Sequence, residues 1–297
     1  MASFVTNFDS TLPFGVVCHD AGGTNQIVAM LKKLYLKPAW VVAEGPAAEI
    51  WANNFHNSNF ADSFLWNKNV SAVITGTGWA SDLEHRARSE ACQLGILTIA
   101  VMDHWTNYEM RFFRNGKQVL PDEFWVVDDY AEEKIRYFFP HKSVLSIPDY
   151  YAERELAKLN PINKDTPDVL LYLAEPMRSD WGKGEPGEFQ ALRYFLDRLP
   201  FMGLASNTAI YLRPHPSENP NKYDEFLRNS RDFPVRKGLG SLRENLSDCR
   251  WVAGCQTYAM TLALRSGRKV FGSLPPWAPP CALPHQGIIH IKNLMAK

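Results

Sequence analysis

Cysteine is scarce in this 297-residue chain, and neither sign of charge is in excess. The five cysteines (Cys18, Cys92, Cys249, Cys255 and Cys281) are odd in number, widely scattered and form no CxxC pair. That argues against a disulfide framework and a zinc site, and it predicts reduced thiols in a cytoplasmic compartment. Lys plus Arg and Asp plus Glu are equal at 32 each, so no global field draws the chain to nucleic acid or to an anionic membrane. No stretch approaches the roughly 18 consecutive apolar residues of a membrane span, and none is predicted. The opening MASFVTNFDSTLPFG lacks a basic start followed by an apolar core, so it does not read as a secretory signal. Internal repeats and low-complexity segments are also missing. Peripheral membrane association and oligomeric state are left open by these observations.

What is present is ordinary globular material: 45% hydrophobic and 22% charged residues. The length suits two domains of roughly 150 residues. Short apolar runs alternate with amphipathic stretches, the pattern of βαβ units. In the first half, strands are predicted at Phe14–Cys18, Ala39–Ala43, Ala72–Thr75, Ile96–Met102 and Phe124–Val127. Helices are predicted at Gln26–Leu34, near Ala47–Phe55, at Leu83–Leu94 with Gly95 ending it, and at Asp129–Phe138. Tyr151–Leu159 reads as a helix leading into a polar, proline-bearing linker, Asn160–Pro167. The pattern then restarts. Strands are predicted at Val169–Leu173, Ala209–Leu212, Trp251–Ala253 and Lys269–Phe271, with helices at Glu188–Leu199, near Tyr223–Leu227, at Ser241–Asp248 and at Thr257–Ser266. The expected architecture is α/β: residues 1–160 and 161–297 each form a Rossmann-like parallel-sheet domain, and the two face each other across a cleft. Ligands of such sheets sit beyond the carboxyl ends of the strands.

The unusual polar residues fall where that rule places a ligand. After the first strand comes His19-Asp20-Ala21-Gly22-Gly23-Thr24-Asn25, a turn whose glycines let backbone approach a ligand and whose following helix offers free N–H groups. Gly76-Thr77-Gly78 precedes another helix, with Ser81 or Asp82 as its cap. Asp103-His104-Trp105-Thr106-Asn107-Tyr108 ends a strand; a carboxylate there suits a general base, and Asp103 is the best candidate. His104 can share that role or bind phosphate, and Trp105 or Tyr108 can stack on a sugar. In the second half, Glu175 follows a strand, and Arg178 and Lys183 stand near it. Arg213-Pro214-His215-Pro216 holds a guanidinium and an imidazole on backbone stiffened by two prolines, suited to an anion. Gly254-Cys255-Gln256-Thr257-Tyr258 places a glycine at a strand end and a hydroxyl where a helix begins. Asp128-Asp129 reads as a helix cap. With no DxD-like acidic pair at a strand end, no metal or other cofactor is expected.

In order and character these features resemble the two-Rossmann (GT-B) glycosyltransferase superfamily, which includes nucleotide-sugar 2-epimerases and hydrolases. The resemblance spans nearly the whole chain. It implies that the glycine turn with Gly22, Gly23 and Thr24 faces the acceptor, and that the second half grips the nucleotide through Gly254, Thr257 and Tyr258. Arg213-Pro214-His215-Pro216-Ser217-Glu218 is similar to the His-Pro motif of bacterial sialyltransferases and capsule 3-deoxy-octulosonate transferases. That match implies that His215, with Arg213, contacts the phosphate of a CMP-sugar. Superfamily donor sites often carry an acidic residue near the ribose in the last helix, where Ala263 or Arg265 stands here, which weakens a UDP-sugar assignment. The implied function is transfer of a sugar from a nucleotide-sugar donor to a glycan or small-molecule acceptor. Asp103, His104 and Asp20 would do the chemistry, and Glu175 would lie in the donor site. The alternatives are a nucleotide-sugar hydrolase or 2-epimerase on the same scaffold, or a sugar-nucleotide-binding module without catalysis.

Overall fold

The computed structural model describes residues 7–55, 60–205, 207–229 and 235–294. The first six residues of the opening segment lie outside these. The chain divides into two compact units, Met1–Arg154 and Glu155–Lys297.

The first unit runs β1 (Phe14–Cys18), α1 (Ala21–Leu34), β2 (Trp40–Ala43), α2 (Pro46–Asn54), β3 (Ala72–Thr75), α3 (Leu83–Gln93), β4 (Leu97–Val101) and α4 (Tyr108–Arg111). The small hairpin β5 (Phe113–Arg114) and β6 (Lys117–Gln118), β7 (Glu123–Val126), α5 (Asp129–Phe138), β8 (Ser143–Ser146) and α6 (Tyr150–Leu156) complete it. Six strands form a parallel sheet in the order β2-β1-β3-β4-β7-β8. The central strands are apolar along their whole length because helices cover both faces, and every residue of β1 and β3 is buried. On one face Phe14, Val16, Ile27, Leu31, Val41, Trp51, Ile74 and Val101 pack together; on the other Val17, Trp40, Val73, Leu83 and Ala87 do so.

The second unit runs β9 (Val169–Leu173), α7 (Gly187–Arg198), β10 (Ala209–Arg213), α8 (Asp224–Asn229), β11 (Val235–Lys237) and α9 (Leu242–Ser247). It closes with β12 (Trp251–Gly254), α10 (Tyr258–Arg265), β13 (Lys269–Gly272) and β14 (Ile288–His290). Its six parallel strands lie in the order β11-β10-β9-β12-β13-β14 around a core that includes Leu170, Tyr172, Phe195, Leu212 and Phe271. Both sheets are therefore doubly wound α/β. Their strand order reverses between β1 and β3 in the first unit and between β9 and β12 in the second, the positions at which such sheets hold ligands. No described helix is long and apolar enough to cross a membrane.

One boundary differs in a way that matters. The helix after β1 begins at Ala21, not Gln26, so Gly22, Gly23 and Thr24 form its first turn rather than an open loop. Helix propensity disfavours two glycines there, and packing overrides it. A methyl on Gly22 would run into Asp103 Oδ2, and one on Gly23 would lie 3.1 Å from the Cα of Gly76.

Candidate functional site

In the first unit the segments after β1, β3 and β4 converge. Asp20 occupies the N-cap position of α1 but makes no side-chain cap. Its Oδ1 instead takes His19 Nδ1 at 2.7 Å. The carboxylate can only accept, so Nδ1 carries a proton and donates it to Asp20. Thr24 is fully buried and its hydroxyl donates to the Asp20 carbonyl at 2.6 Å, so it does not face an acceptor.

Asp103 is anchored at one oxygen. Its Oδ1 accepts Arg111 Nη1 at 3.0 Å and Thr77 Oγ1 at 3.3 Å. Arg111 also donates to the Thr77 carbonyl and hydroxyl and, through Nε, to the Thr106 carbonyl. Among the described residues Asp103 Oδ2 accepts no hydrogen bond; it lies over Gly22. His104 Nδ1 accepts the Trp105 amide at 3.0 Å, which leaves the proton on Nε2. Burial is the main cause holding its pKa below the usual value, ahead of the opposing pull of Asp103.

Two aromatic expectations are corrected. Trp105 is buried, with its indole N–H on both oxygens of Asp128, and Tyr108 is buried against Phe138. Neither offers a face to a sugar. Asp128 caps α5 as expected, accepting the Ala131 amide at 2.7 Å.

Glu84 and Arg88 of α3 belong to this cluster and escape sequence reasoning, because a helix of charged residues reads as a solvated face. Glu84 is 1% exposed. Burial is the chief cause pushing its pKa up to about 7, against the lowering effect of Arg88. Arg88 is buried too: Nη1 reaches Thr75 Oγ1 at 2.9 Å and the Gly76 carbonyl at 3.1 Å, and its plane covers Phe112.

In the second unit, the residues after β9, β10 and β12 draw together. Glu175 Oε1 accepts the Gln256 amide at 3.0 Å, which joins the segments on either side of the strand-order reversal. Burial is the main cause of its pKa rising to about 8. His215 is set by Glu218: Oε2 accepts the His215 amide at 3.1 Å, while the same carboxylate takes Lys222 and the Tyr223 hydroxyl. His215 Nδ1 accepts the Ser217 amide, so Nε2 carries the proton and points a donor outward. Burial lowers its pKa, with Arg178 adding to the effect and Glu218 opposing it. The imidazole is therefore a neutral donor at neutral pH.

Thr257 is the N-cap residue of α10, yet its side chain makes no capping bond. The Thr257 hydroxyl is thus available to an anion, while the Met260 amide of the first turn is taken by the Thr257 carbonyl at 3.0 Å. Two residues sit less openly than the sequence implied. Arg213 Nη1 is engaged with the Gly240 carbonyl at 2.6 Å and Asn245 Oδ1 at 2.9 Å. The room left by Gly254 is filled by packing, since a methyl there would lie 2.9 Å from the Leu173 carbonyl and 3.1 Å from Met260 Sδ. Among the described residues no three His, Cys, Asp or Glu side chains are grouped to hold a metal ion.

No family model matches the chain, and no curated protein matches its sequence. Solved structures do match its fold. UDP-GlcNAc 2-epimerase from Methanocaldococcus jannaschii aligns at a TM-score of 0.57 and 10% identity over 88% of this chain and 83% of that chain. The putative UDP-N-acetylglucosamine 2-epimerase of Listeria monocytogenes aligns at 0.58 and 11% identity over 88% and 79%. The M. jannaschii enzyme in complex with UDP-GlcNAc and UDP aligns at 0.56 and 9% identity over 88% and 83%. The likeness is one of fold: two doubly wound parallel sheets in succession, the GT-B arrangement that the sequence resembles.

Proposed function

We propose that the protein is a GT-B glycosyltransferase that moves a sugar from a nucleotide-sugar donor to a hydroxyl of a surface-glycan acceptor. The observation that carries this reading is the rim of the second unit. There an outward imidazole N–H follows β10, and an unengaged N-cap hydroxyl and a helix N-terminus follow β12, the two strands that flank β9 in one sheet. All three features are donors, matched to a phosphate and not to a cation. In this reading His215 Nε2 and Thr257 hold the donor phosphate, and Glu175 fixes the Gln256–Thr257 backbone beneath it. A CMP-sugar is slightly favoured by the resemblance of the Arg213–Glu218 segment to His-Pro motifs, while the absence of a carboxylate at Ala263 and Arg265 departs from the superfamily pattern on which a UDP-sugar assignment would rest.

The acceptor oxygen attacks the anomeric carbon, the bond from that carbon to the phosphate oxygen breaks, and the nucleotide leaves with the electron pair. Asp103 takes the acceptor proton through Oδ2 while Arg111 and Thr77 hold Oδ1 still. Neutral donors and amides meet the charge developing on the leaving group. Calorimetry with CMP-, CDP- and UDP-sugars tests this reading; binding by none of them overturns it.

A second reading is favoured by the fold likeness to 2-epimerases: hydrolysis or 2-epimerisation of a nucleotide-sugar by the same residues. Nucleotide released from donor alone, at a rate rivalling transfer, selects it.

A further inference from the structure

Glu84 has no role in the mechanism above, and its surroundings are unusual. Its Oε1 accepts the His19 amide at 3.1 Å. Its Oε2 is buried with no hydrogen-bond partner. The carboxyl group lies against the backbone after β3, and two glycines make the space. A methyl on Gly76 would be 2.6 Å from Oε1; one on Gly78 would be 2.9 Å from Oε2 and 2.6 Å from Asp20 Oδ2. Neither glycine has a positive φ, so it is room and not backbone freedom that requires them. Gly78 therefore has the open edge of Glu84 and the open edge of Asp20 on one side.

Charges around this group come from each neighbouring element. Arg88 lies one turn along α3, Asp20 precedes α1, Asp103 follows β4, and the Cys18 thiol ends β1. Arg88 makes no ion pair with Glu84; its Nη1 is engaged by Thr75 and Gly76. Two ionised carboxylates about Gly78, one of them buried and with a single hydrogen bond, would be strongly unfavourable. A neutral Glu84 removes the repulsion and no longer leaves a buried charge at the unpartnered Oε2.

We infer that Glu84 is a positioning residue: a buried carboxylic acid that keeps its proton into the neutral range and, while neutral, holds the His19–Asp20 pair from behind through the His19 amide and across Gly78. Burial raises its pKa to about 7, in keeping with that state. Ionising it sets a negative charge behind Asp20 and loosens the pair. The effect on turnover rests on the proposed transferase reading; the protonation state does not.

The test separates the two. Melting temperatures of the wild type and Glu84→Gln are followed from pH 5 to pH 9, alongside nucleotide-sugar turnover. A group with a raised pKa stabilises fully below its unfolded value and loses that contribution as pH rises through the folded value. Glu84→Gln should gain on the wild type as pH rises from about 4.5 to about 7, hold that gain above it, and flatten the alkaline fall in turnover, with KM little changed. Parallel melting curves overturn the inference whatever the enzyme's activity, and an unchanged alkaline limb with altered melting overturns the positioning role. Should the variant fail to fold, carbon-13 glutamate labelling of the wild type answers instead. Two carboxyl resonances should titrate near neutrality, and Glu175→Gln should remove one of them. If it leaves none, Glu84 is ionised and the inference is wrong.

Discussion

Replacing Arg111 by Met tests how the first-unit rim is held. The substitution deletes the guanidinium, keeps an unbranched apolar stem, and removes four hydrogen bonds: to Asp103 Oδ1, the Thr77 hydroxyl, and the Thr77 and Thr106 carbonyls. The side chains of Arg111 and Asp103 are 8% and 16% exposed. Breaking a buried pair from one side costs about 3–5 kcal/mol, whereas a surface pair contributes about 0–1 kcal/mol. The pair lies near the buried end, and Asp103 retains some contact with solvent, which argues for the lower bound, about 3 kcal/mol. For a unit of this size that corresponds to a fall in Tm of about 6–12 °C. Thermal melts give the shift, and urea unfolding of Arg111→Met, Asp103→Asn and the double variant gives the coupling. The double variant should be less damaged than the two single losses added together, by about 0.5–3 kcal/mol. A single variant melting within about 2 °C of the wild type, or additivity within about 0.5 kcal/mol, would refute the anchoring of Asp103.

Three further outcomes are expected. Gly22→Ala sets a helix-propensity gain of about 1 kcal/mol against overpacking of about 1–3 kcal/mol; because Arg111 prevents Asp103 from retreating, the clash should win, and a raised melting temperature would disprove this. His215→Ala and Thr257→Ala should each weaken nucleotide binding about tenfold to hundredfold by calorimetry, the loss of one hydrogen bond to a charged group, while melting temperature stays near the wild type. Glu175, raised from 4.5 to about 8, stabilises fully below its unfolded value and loses that contribution as pH rises through about 8. The wild type should therefore lose melting temperature between about pH 4.5 and 8 more steeply than Glu175→Gln, the two curves running parallel above that range.

The central strands were legible because they are buried on both faces and carry unbroken apolar runs. Of the four edge strands only β2, itself mostly buried, was. Ser143–Ser146, Val235–Lys237 and Ile288–His290 are short and only partly buried, so burial leaves too weak a pattern to read. The β5–β6 hairpin does leave a signal, Asn115-Gly116 with both φ positive. Within the site, the segments after β1, β4, β9, β10 and β12 could be found by the rule that ligands gather at strand ends. What their side chains do could not. Trp105 and Tyr108 look like sugar platforms until Asp128 and Phe138 are seen to occupy them. Thr24 and Arg213 look free until the Asp20 carbonyl and Gly240 claim them. Glu84 sits at helix spacing among charged residues, and only the glycines at 76 and 78, just before the helix begins, mark its burial.

Asp128 serves two neighbours with one carboxylate. Oδ1 caps α5 at Ala131, and both oxygens hold the Trp105 indole. The segment bearing Asp103 and His104 is thus riveted to the start of a helix more than twenty positions later, and neither can swing independently. An asparagine at 128 would keep one oxygen to serve both neighbours but would put an NH2 donor where the second oxygen now meets the indole, so the hold on Trp105 would weaken. Drift at position 105 should accordingly be constrained by position 128, so sequences that change one are expected to change the other in step.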